Sequence, residues 1–463
     1  MAKLLQVVCC LCFLLFQIVR LDGLRRSRQL DEFYNPTQHR PTQKRHIGSD
    51  VITSCRDVKQ AGSRCACTEK LEAIDVINCA NRNVTSLPGI FSAPVTTRTL
   101  NASHNRMEHL PENGFFGCHI ERLELSANRL RTLSALAFWG LELSLQHLNL
   151  SFNQLEFVPT SSLRLLRMLK SLVLAGNRIK AVDDNSFASL TQLEILSISS
   201  NPIAQFGRHA FDGTRLYSLI VDDIYDAHAL FASKTHRLIQ LKGLSLANNK
   251  LARLPSQWMA NLTSLRYINL MNNELTSLRA SSLRGCARSL QTLKLGNNRL
   301  SHVPRSSLRR ITGLKRLQLS GNAIRTLPPR AFNASARLEY VDLSNNSIDV
   351  ISHLAFVGLD RIREVDLRSN VLVTLDQRWF DSIKNVNNFG VRLSGNPFVC
   401  NCMMRWLKKE FRRKSPSSLI NIFHDLFEIK CNRPVQFRDF PVVRLPMREL
   451  HCYHNYYYYY YNN

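Results

Sequence analysis

One pattern, L-x-x-L-x-L-x-x-N-x-L, recurs along most of this chain. It appears as "LQTLKLGNNRL" at 290–300, "LKRLQLSGNAI" at 314–324 and "LEYVDLSNNSI" at 338–348. Its asparagine returns every 23 to 26 residues, with one double gap where residues 216–230 keep the leucine frame but place Ile224 at the asparagine position. Counted with Ile224, the pattern predicts 13 turns. The asparagines are Asn105, Asn128, Asn153, Asn177, Asn201, Asn249, Asn273, Asn298, Asn322, Asn346, Asn370 and Asn396.

The spacing of the leucines predicts an α/β solenoid. The L-x-L core of each turn fits a short strand whose leucines point inward, while the intervening residues point to the opposite side. A single turn cannot bury its leucines alone, so neighbouring turns must stack over a shared core under a parallel sheet. The asparagine side chain can satisfy backbone groups that would otherwise be buried without a partner. We call the outward side of this sheet, the concave side of such a stack, the sheet face.

Two groups of four cysteines stand at the two ends of the repeats, and a stack of this kind needs caps there. With "NPFVCNCMMRWLKKEF" at 396–411, the chain resembles extracellular leucine-rich repeat proteins of the Slit, Nogo-receptor and chondroadherin type. The resemblance implies a leucine-rich repeat horseshoe, with a parallel β-sheet on the concave face and disulfide-bonded end caps. It also implies that Trp406 plugs the core of the C-terminal cap. The implied bridges are Cys55–Cys67, Cys65–Cys79, Cys400–Cys431 and Cys402–Cys452.

Cys118 and Cys286 remain outside these clusters. Each occupies a position where other repeats have a leucine such as Leu190 or Leu359. They precede repeats seven turns apart, on the order of 34 Å, which is far beyond the reach of a disulfide. They are therefore interpreted as buried thiols, with an intermolecular bridge as the alternative.

The ends of the sequence differ from the repeats. Residues 4–19 form an apolar run of 16, which predicts a secretory signal over 1–23, with an uncleaved N-terminal anchor as the alternative. No later run is long and apolar enough to span a membrane, so a secreted product is expected in the extracellular space or matrix. The remaining segments are a basic disordered leader (24–50), the N-terminal cap (51–95), the repeats (96–395), the C-terminal cap (396–452) and a Tyr-rich tail (453–463).

The alternating strand positions predict what the sheet face offers to a partner. The middle repeats are small and partly apolar, tyrosines and bases follow, and the last repeats are acidic apart from one tyrosine. Apolar surface, exposed tyrosines and segregated charge suit the docking of a protein. The alternative is a solvated face without a ligand. The candidate partner-binding residues are Val173, Ile195, Ile220, Tyr267, Lys294, Arg316, Tyr340, Asp342, Glu364 and Asp366.

Most of the positive charge lies away from this face. The formal net charge is +26, and residues 279–330 contain 12 Lys or Arg without one Asp or Glu. Stacked turns place like charges side by side, which favours an anionic ligand such as heparan-sulfate-type glycans. Plain solubility is the alternative, and nucleic acid is disfavoured because no aromatic residue is interleaved with the bases. The candidate polyanion-binding residues are Arg279, Arg284, Arg305, Arg309, Arg310, Arg330, Lys408, Lys409, Arg412 and Arg413.

The sequence has six N-x-S/T sequons, which mark acceptor sites for N-linked glycans in a secreted protein. Two of them fall on strand positions of early repeats, where a glycan would direct a ligand toward repeats 4 to 12. The sequons are Asn83, Asn101, Asn149, Asn261, Asn333 and Asn345.

No catalytic motif appears, and the 14 histidines are scattered without partner ligands. The chain is therefore predicted to be a non-enzymatic binding protein without cofactor or metal. The leading hypothesis is a glycosylated recognition and adhesion protein of the matrix or cell surface that binds an extracellular protein ligand or receptor and also heparin-type glycans. The alternatives are a soluble innate-immune recognition protein resembling Toll-type ectodomains, and a purely structural matrix component.

Overall fold

The protein is described from a computed structural model. The described residues are 52, 54–60, 65–71, 73–87, 94–232, 238–256, 258–332, 335–379, 383, 389–413 and 423–452, with the side chains of 60, 232 and 410–413 left out. They all belong to one structural unit, Asp50–Asn463. The predictions for 1–23, 24–50, 453–463 and Asn333 lie outside the described residues.

The strands are short, and most of those within the repeats have only three residues. In chain order they are β1 Ala66–Lys70, β2 Ala73–Asn78, β3 Thr96–Asn101, β4 His119–Glu124, β5 His147–Asn149, β6 Ser171–Val173, β7 Ala181–Val182, β8 Ile195–Ser197, β9 Gln205–Phe206, β10 Ser218–Ile220, β11 Gly243–Ser245, β12 Tyr267–Asn269, β13 Thr292–Lys294, β14 Arg316–Gln318, β15 Thr326–Leu327, β16 Tyr340–Asp342, β17 Val350–Ile351, β18 Glu364–Asp366, β19 Gly390–Arg392, β20 Phe398–Val399 and β21 Cys431–Arg433.

Helices are few and short within the described residues. The α-helices are α1 Cys55–Gln60, α2 Thr160–Leu163, α3 Arg305–Leu308 and α4 Arg405–Arg413. The 3-10 helices are Ala227–Ala232, Gln377–Trp379, Cys402–Met404, Leu426–Glu428, Val435–Phe437, Val442–Arg444 and Met447–Glu449. None of these helices is both long and apolar enough to cross a lipid bilayer.

One sheet runs through the described part of the chain. Its 15 strands follow the order β1-β2-β3-β4-β5-β6-β8-β10-β11-β12-β13-β14-β16-β18-β19, and every neighbouring pair is parallel except β1 with β2. The 13 strands from β3 to β19 are those of the repeat pattern. The predicted parallel-sheet solenoid is therefore confirmed.

The core follows directly from the period of the pattern. The central residue of each short strand is buried, as in Leu219 between Ser218 and Ile220, and so is the apolar residue that follows the strand, here Val221. On the other side of the core, phenylalanines of successive turns stack, with ring centroids 6.5 Å apart for Phe115 and Phe138. Cys118 and Cys286 are buried and are not disulfide-bonded, as expected of thiols in leucine positions.

The repeat asparagines join each turn to the turn before it. The Nδ2 of Asn298 donates to the carbonyls of Leu270, Leu295 and Gly296 at 2.9, 3.0 and 3.2 Å. Its Oδ1 accepts from the backbone N–H of Leu275 at 3.0 Å. One buried side chain thus satisfies backbone groups of two turns, which fixes the spacing between them.

Ile224 departs from this pattern without breaking the stack. It is buried, so it adds apolar contact where other repeats make hydrogen bonds. Asn249 in the next turn still reaches back, because its Oδ1 accepts from the backbone N–H of Ile224 at 2.9 Å and its Nδ2 donates to the carbonyl of Val221 at 2.7 Å. The asparagine of the following turn therefore holds the irregular turn in place.

Disulfides close both ends of the described stack. They join Cys55 to Cys67, Cys65 to Cys79, Cys400 to Cys431 and Cys402 to Cys452, which are the pairs that the family resemblance implies.

Two further contacts hold the C-terminal cap. Trp406 is only partly buried; its Nε1 donates to the carbonyl of Leu375 at 2.9 Å, and its ring packs on Phe423. The carboxylate of Asp425 accepts from the backbone N–H groups of Leu393 and Ser394, which follow the last strand of the sheet. Trp406 therefore contacts both the last repeats and the cap. Because it stays partly exposed, it does not plug the core completely.

Candidate functional site

The sheet face presents its residues in straight rows, because the strands pair in register. One row runs Tyr267, Thr292, Arg316, Tyr340, and a parallel row runs Asn269, Lys294, Gln318, Asp342. Neighbouring members of a row are about 4.8 Å apart. The structure thus brings together four of the predicted partner-binding residues, Tyr267, Lys294, Arg316 and Tyr340, on the four strands β12, β13, β14 and β16.

Tyr267 and Lys294 are in direct contact. The Nζ of Lys294 lies 5.6 Å from the centre of the Tyr267 ring, within the range of a cation–π interaction. Partial burial, and next the charge of Arg316, lower the pKa of Lys294. Burial also raises the pKa values of Tyr267 and Tyr340 to about 12, so both phenols are neutral hydrogen-bond donors at physiological pH.

An apolar strip lies beside this region. Val173 on β6, Ile195 on β8 and Ile220 on β10 are each partly exposed on neighbouring strands. Small residues separate them, because the residue paired with Val173 on the next strand is Ser197 and the residue paired with Ile195 is Ser218. The strip is therefore shallow and accessible from the sheet face.

At the acidic end of the sheet face, the exposure of the side chains differs from the prediction. Asp342 and Asp366 are buried, with Asp366 only 2% exposed, so they are not available to a partner. Asp342 accepts hydrogen bonds from the backbone and hydroxyl of Ser344 at 3.0 and 2.7 Å. Asp366 binds the guanidinium of Arg368 through both oxygens. The alternation of exposed positions located these residues correctly but could not show that neighbouring side chains cover them.

Glu364 is the more accessible acid of this group, but its charge is compensated. The Nε of Arg392 lies 2.6 Å from Oε1 of Glu364, and His424 Nδ1 lies 4.0 Å from the same oxygen. His424 comes from the C-terminal cap and packs directly over Gly390, where a Cβ would meet its ring. The cap therefore covers part of the acidic end.

Three exposed bases next to the sheet face were missed by the sequence reasoning, which counted only the strand positions themselves. Lys242, Arg266 and Lys315 each stand directly before a strand and are exposed. The Nζ of Lys242 lies 6.0 Å from the centre of the Tyr217 ring. Reading the residue before each L-x-L core as a third row would have found them.

Asp222 is a fourth residue that the strand positions did not indicate. It follows β10, and its Oδ1 accepts from the backbone N–H of Ala247 at 2.7 Å. Burial raises its pKa to about 6, against an ordinary value of 3.8. Because the folded-state pKa is raised, the protonated form stabilises the fold below about pH 3.8, and this contribution is lost as the pH rises through about 6.

Asp222→Asn is therefore expected to raise the free energy of unfolding at pH 7.5 by up to about 3 kcal/mol, since it keeps the acceptor oxygen and removes a partly buried charge. The gain should shrink toward zero at pH 4. Urea unfolding of both proteins at the two pH values measures it. An equal gain at both pH values would contradict the assignment.

The basic residues of repeats 8 to 10 are exposed, and we call the following six the basic belt: Arg279, Arg284, Arg305, Arg309, Arg310 and Arg330. Arg305 begins α3, and the hydroxyl of Ser307 in this helix donates to the carbonyl of Leu278 in the preceding turn at 2.6 Å. Leu278 directly precedes Arg279. The bond therefore links the turn that carries Arg305 to the turn that carries Arg279.

The C-terminal cap contributes less to this surface than predicted. Lys408 is wrong as a polyanion-binding residue, because it is buried and its Nζ donates to the carbonyl of Val443. The amphipathic turn of α4 puts it on the inner side, which its place in a basic run concealed. Lys409 is exposed on the same helix. Arg412 and Arg413 lie in α4, but their side chains are outside the described residues.

The sequons lie in different surroundings. Asn83, Asn261 and Asn345 are exposed, whereas Asn101 and Asn149 are partly buried on the sheet face. Asn149 donates through Nδ2, the atom that would carry a glycan, to Glu124 at 2.7 Å. Glycosylation of Asn149 remains a prediction, and a glycan would have to fit beside Glu124 at this partly buried nitrogen.

Comparison with known proteins agrees with this architecture. The model of the family described as "Leucine rich repeat" matches residues 95–155, 167–223, 239–289, 288–348 and 336–398, more than half of the chain. The chain therefore belongs to the leucine-rich repeat family. Its described residues contain no group of three or more His, Cys, Asp or Glu side chains that could hold a metal ion.

Individual relatives align over part of their length. Trophoblast glycoprotein of Macaca fascicularis is 31% identical over 199 residues, 38% of this chain and 47% of its own length. Podocan-like protein 1 of Mus musculus is 30% identical over 266 residues, 51% of this chain and 46% of its own length. The chain thus spans about half the length of these curated relatives.

Among solved structures, the Toll–Spatzle complex of Drosophila contains a chain that matches with a TM-score of 0.51 and 19% identity. The match covers 77% of this chain and 61% of that chain. At this identity the likeness establishes a shared fold.

Proposed function

We propose that this chain is a secreted, non-enzymatic recognition and adhesion protein of the matrix or cell surface. It binds a protein partner through the sheet face and heparan-sulfate-type glycans through the basic belt. The observation that carries the proposal is the combination, on one sheet face, of an apolar strip with accessible tyrosines and bases. A surface of this composition suits a protein interface. A solved relative by fold, Toll, is in complex with the protein Spatzle, which supports a protein ligand here.

The six arginines of the basic belt support glycan binding. They are exposed, and residues 279–330 supply no acid to neutralise them. Closely spaced like charges repel one another, and an anionic polymer relieves this repulsion. Since the belt lies apart from the strand rows, a glycan and a protein partner could bind the same molecule together.

A triple charge reversal tests the glycan site. Arg305→Glu, Arg309→Glu and Arg330→Glu together are expected to move elution from immobilised heparin to a much lower salt concentration, because three attractions become repulsions. The matched control reverses the exposed Arg129, Arg131 and Arg178, which gives the same change in net charge on other repeats. Equal shifts for both triple variants would mean that only net charge matters, and the glycan site would be rejected.

A glycan placed on the sheet face tests the protein-binding site. Gln318→Asn creates an Asn-Leu-Ser sequon with Ser320, in the same strand position as the natural Asn149-Leu150-Ser151. The added glycan is expected to abolish saturable binding of the labelled protein to heparinase-treated cells, as measured by flow cytometry. The double variant Gln318→Asn, Ser320→Ala has no sequon and should bind as the wild type does. Unchanged binding by the glycosylated variant would exclude this face.

A further inference from the structure

The bases of the sheet face form a cluster with the two tyrosines, and we call the following six residues the aromatic-basic cluster: Arg266, Tyr267, Lys294, Lys315, Arg316 and Tyr340. Arg316 stands in its centre, because it faces Thr292 on one side and Tyr340 on the other. Arg266 and Lys315 precede the strands that carry Tyr267 and Gln318. The cluster therefore occupies the contiguous strands β12, β13, β14 and β16.

The positive charge of this cluster is not neutralised within the described part of the protein. The ion pairs found there do not include Arg266, Lys294, Lys315 or Arg316. Among the nearby acids, Asp366 binds Arg368 and Glu364 binds Arg392. Glu339 is partly exposed and lies beside Lys315, because its backbone N–H donates to the Lys315 carbonyl at 2.8 Å. The four bases of the cluster therefore stand against one partly exposed acid, Glu339, which leaves a net positive charge at the cluster. An anionic ligand is therefore the complementary one.

The surroundings favour a protein segment over a sulfated glycan. Two tyrosine rings interleave with the bases and offer apolar contact area together with neutral hydroxyl donors, which is characteristic of protein interfaces. The apolar strip continues the same face on the other side. Between Ile220 on β10 and Arg316 on β14 there are four strand steps, or about 19 Å. An extended peptide covers this distance with about six residues at about 3.3 Å each.

We infer that the aromatic-basic cluster binds an acidic segment of the protein partner, and that the partner places an apolar side chain on the strip about six residues from its acids. The inference rests on the proposed role of the sheet face in protein binding and names the chemistry of the partner. The carboxylates pair with Arg316, Lys315 and Arg266, while Tyr267 and Tyr340 pack against the segment and donate hydrogen bonds. The basic belt plays no part in this contact.

A phage-displayed library of random 12-residue peptides is the probe. It is selected on the immobilised wild-type protein in excess heparin, which occupies the basic belt, and depleted on the glycosylated Gln318→Asn variant. The expected peptides are enriched in Asp and Glu, with Ile, Leu, Val or Phe about six positions away. Their affinity, measured by fluorescence anisotropy, should fall at least tenfold with Arg316→Glu and Lys315→Glu together. The matched control, Arg129→Glu with Arg131→Glu on exposed positions outside both proposed sites, should change it less than twofold.

Each other outcome has a definite meaning. Selected peptides that lack acids, or acidic peptides that bind the Arg316 and Lys315 variant equally well, overturn the inference while the sheet face remains a binding site. If the depletion on the glycosylated Gln318→Asn variant removes every binding peptide, so that none is enriched with or without heparin, the sheet face is rejected and the proposed function with it. Selection abolished by heparin but restored without it would assign the cluster to a glycan and overturn the inference.

A second copy of this chain is the other candidate for the partner that supplies acids to the aromatic-basic cluster. Residues 183–226 contain seven acids and two bases, so their charge is complementary to the cluster of another molecule. Sedimentation velocity of the wild-type protein and of the Arg316→Glu, Lys315→Glu variant separates the two. A monomer in both cases supports a different protein as partner. A dimer that the variant loses would assign the cluster to self-association and overturn the inference.

Discussion

Asn298→Ala is expected to lower the free energy of unfolding by about 4 kcal/mol. The substitution removes the partner of the Leu275 N–H and of the carbonyls of Leu270 and Leu295, all within the buried core of the stack. Each buried polar group left without a partner costs about 1–3 kcal/mol. The loss is larger than for an ordinary surface substitution because several groups are affected at once, on two adjacent turns.

Urea unfolding followed by circular dichroism measures this change. Thr312→Ala is the control, because Thr312 is exposed nearby and its loss should change the free energy of unfolding by less than about 0.5 kcal/mol. A loss below about 1 kcal/mol for Asn298→Ala would mean that water or a rearranged turn replaces the side chain.

The second large effect is expected at the C-terminal cap. Asp425 is buried, and its carboxylate accepts from Leu393 N at 3.0 and 2.8 Å and from Ser394 N at 2.6 Å. Hydrogen bonds to a charged group contribute about 1.5–3 kcal/mol each, so Asp425→Ala should destabilise the cap by about 3–5 kcal/mol. Because turns of a solenoid contact only their neighbours, the damage should stay near β19 and the cap.

Native-state hydrogen exchange is the suitable measurement for a local effect. The amides of Leu393 and Ser394 should exchange much faster in Asp425→Ala, while those of distant strands such as β5 keep their protection. Asp425→Asn, which retains one acceptor oxygen, should fall between the variant and the wild type. Uniform loss of protection along the chain would show that the cap is required for the stability of every turn.

The contacts of these two residues are predictable from the sequence to very different degrees. Asn298 belongs to a repeat, so its position alone predicted a buried side chain that bonds backbone groups. Asp425 belongs to no repeat and follows a segment without regular spacing, so nothing in the sequence marked it as a partner of Leu393. A local periodic pattern specifies its own contacts, whereas a contact between residues 32 positions apart depends on how the chain folds back.

The same difference separates the site residues whose position the spacing predicted from those whose exposure it did not predict. The alternation of strand residues correctly placed Tyr267 and Arg316 on one face. It did not reveal that Asp366 is covered by its bond to Arg368, or that Lys408 is buried against Val443. Sequence spacing gives the direction of a side chain from the strand or helix, but exposure also depends on neighbours that other segments supply.

The sequence by itself determined the stack of parallel strands, the residues of its core and the rows of its sheet face. It could do so because a repeat of 23 to 26 residues forces each turn into the same environment as the last. Only the tertiary structure decided which charges on those rows are free to act. That outcome depends on ion pairs such as Glu364 with Arg392, made between neighbouring turns, and on a cap that covers the last strands. Charge compensation is a property of distances between side chains, and those distances exist only after the chain has folded.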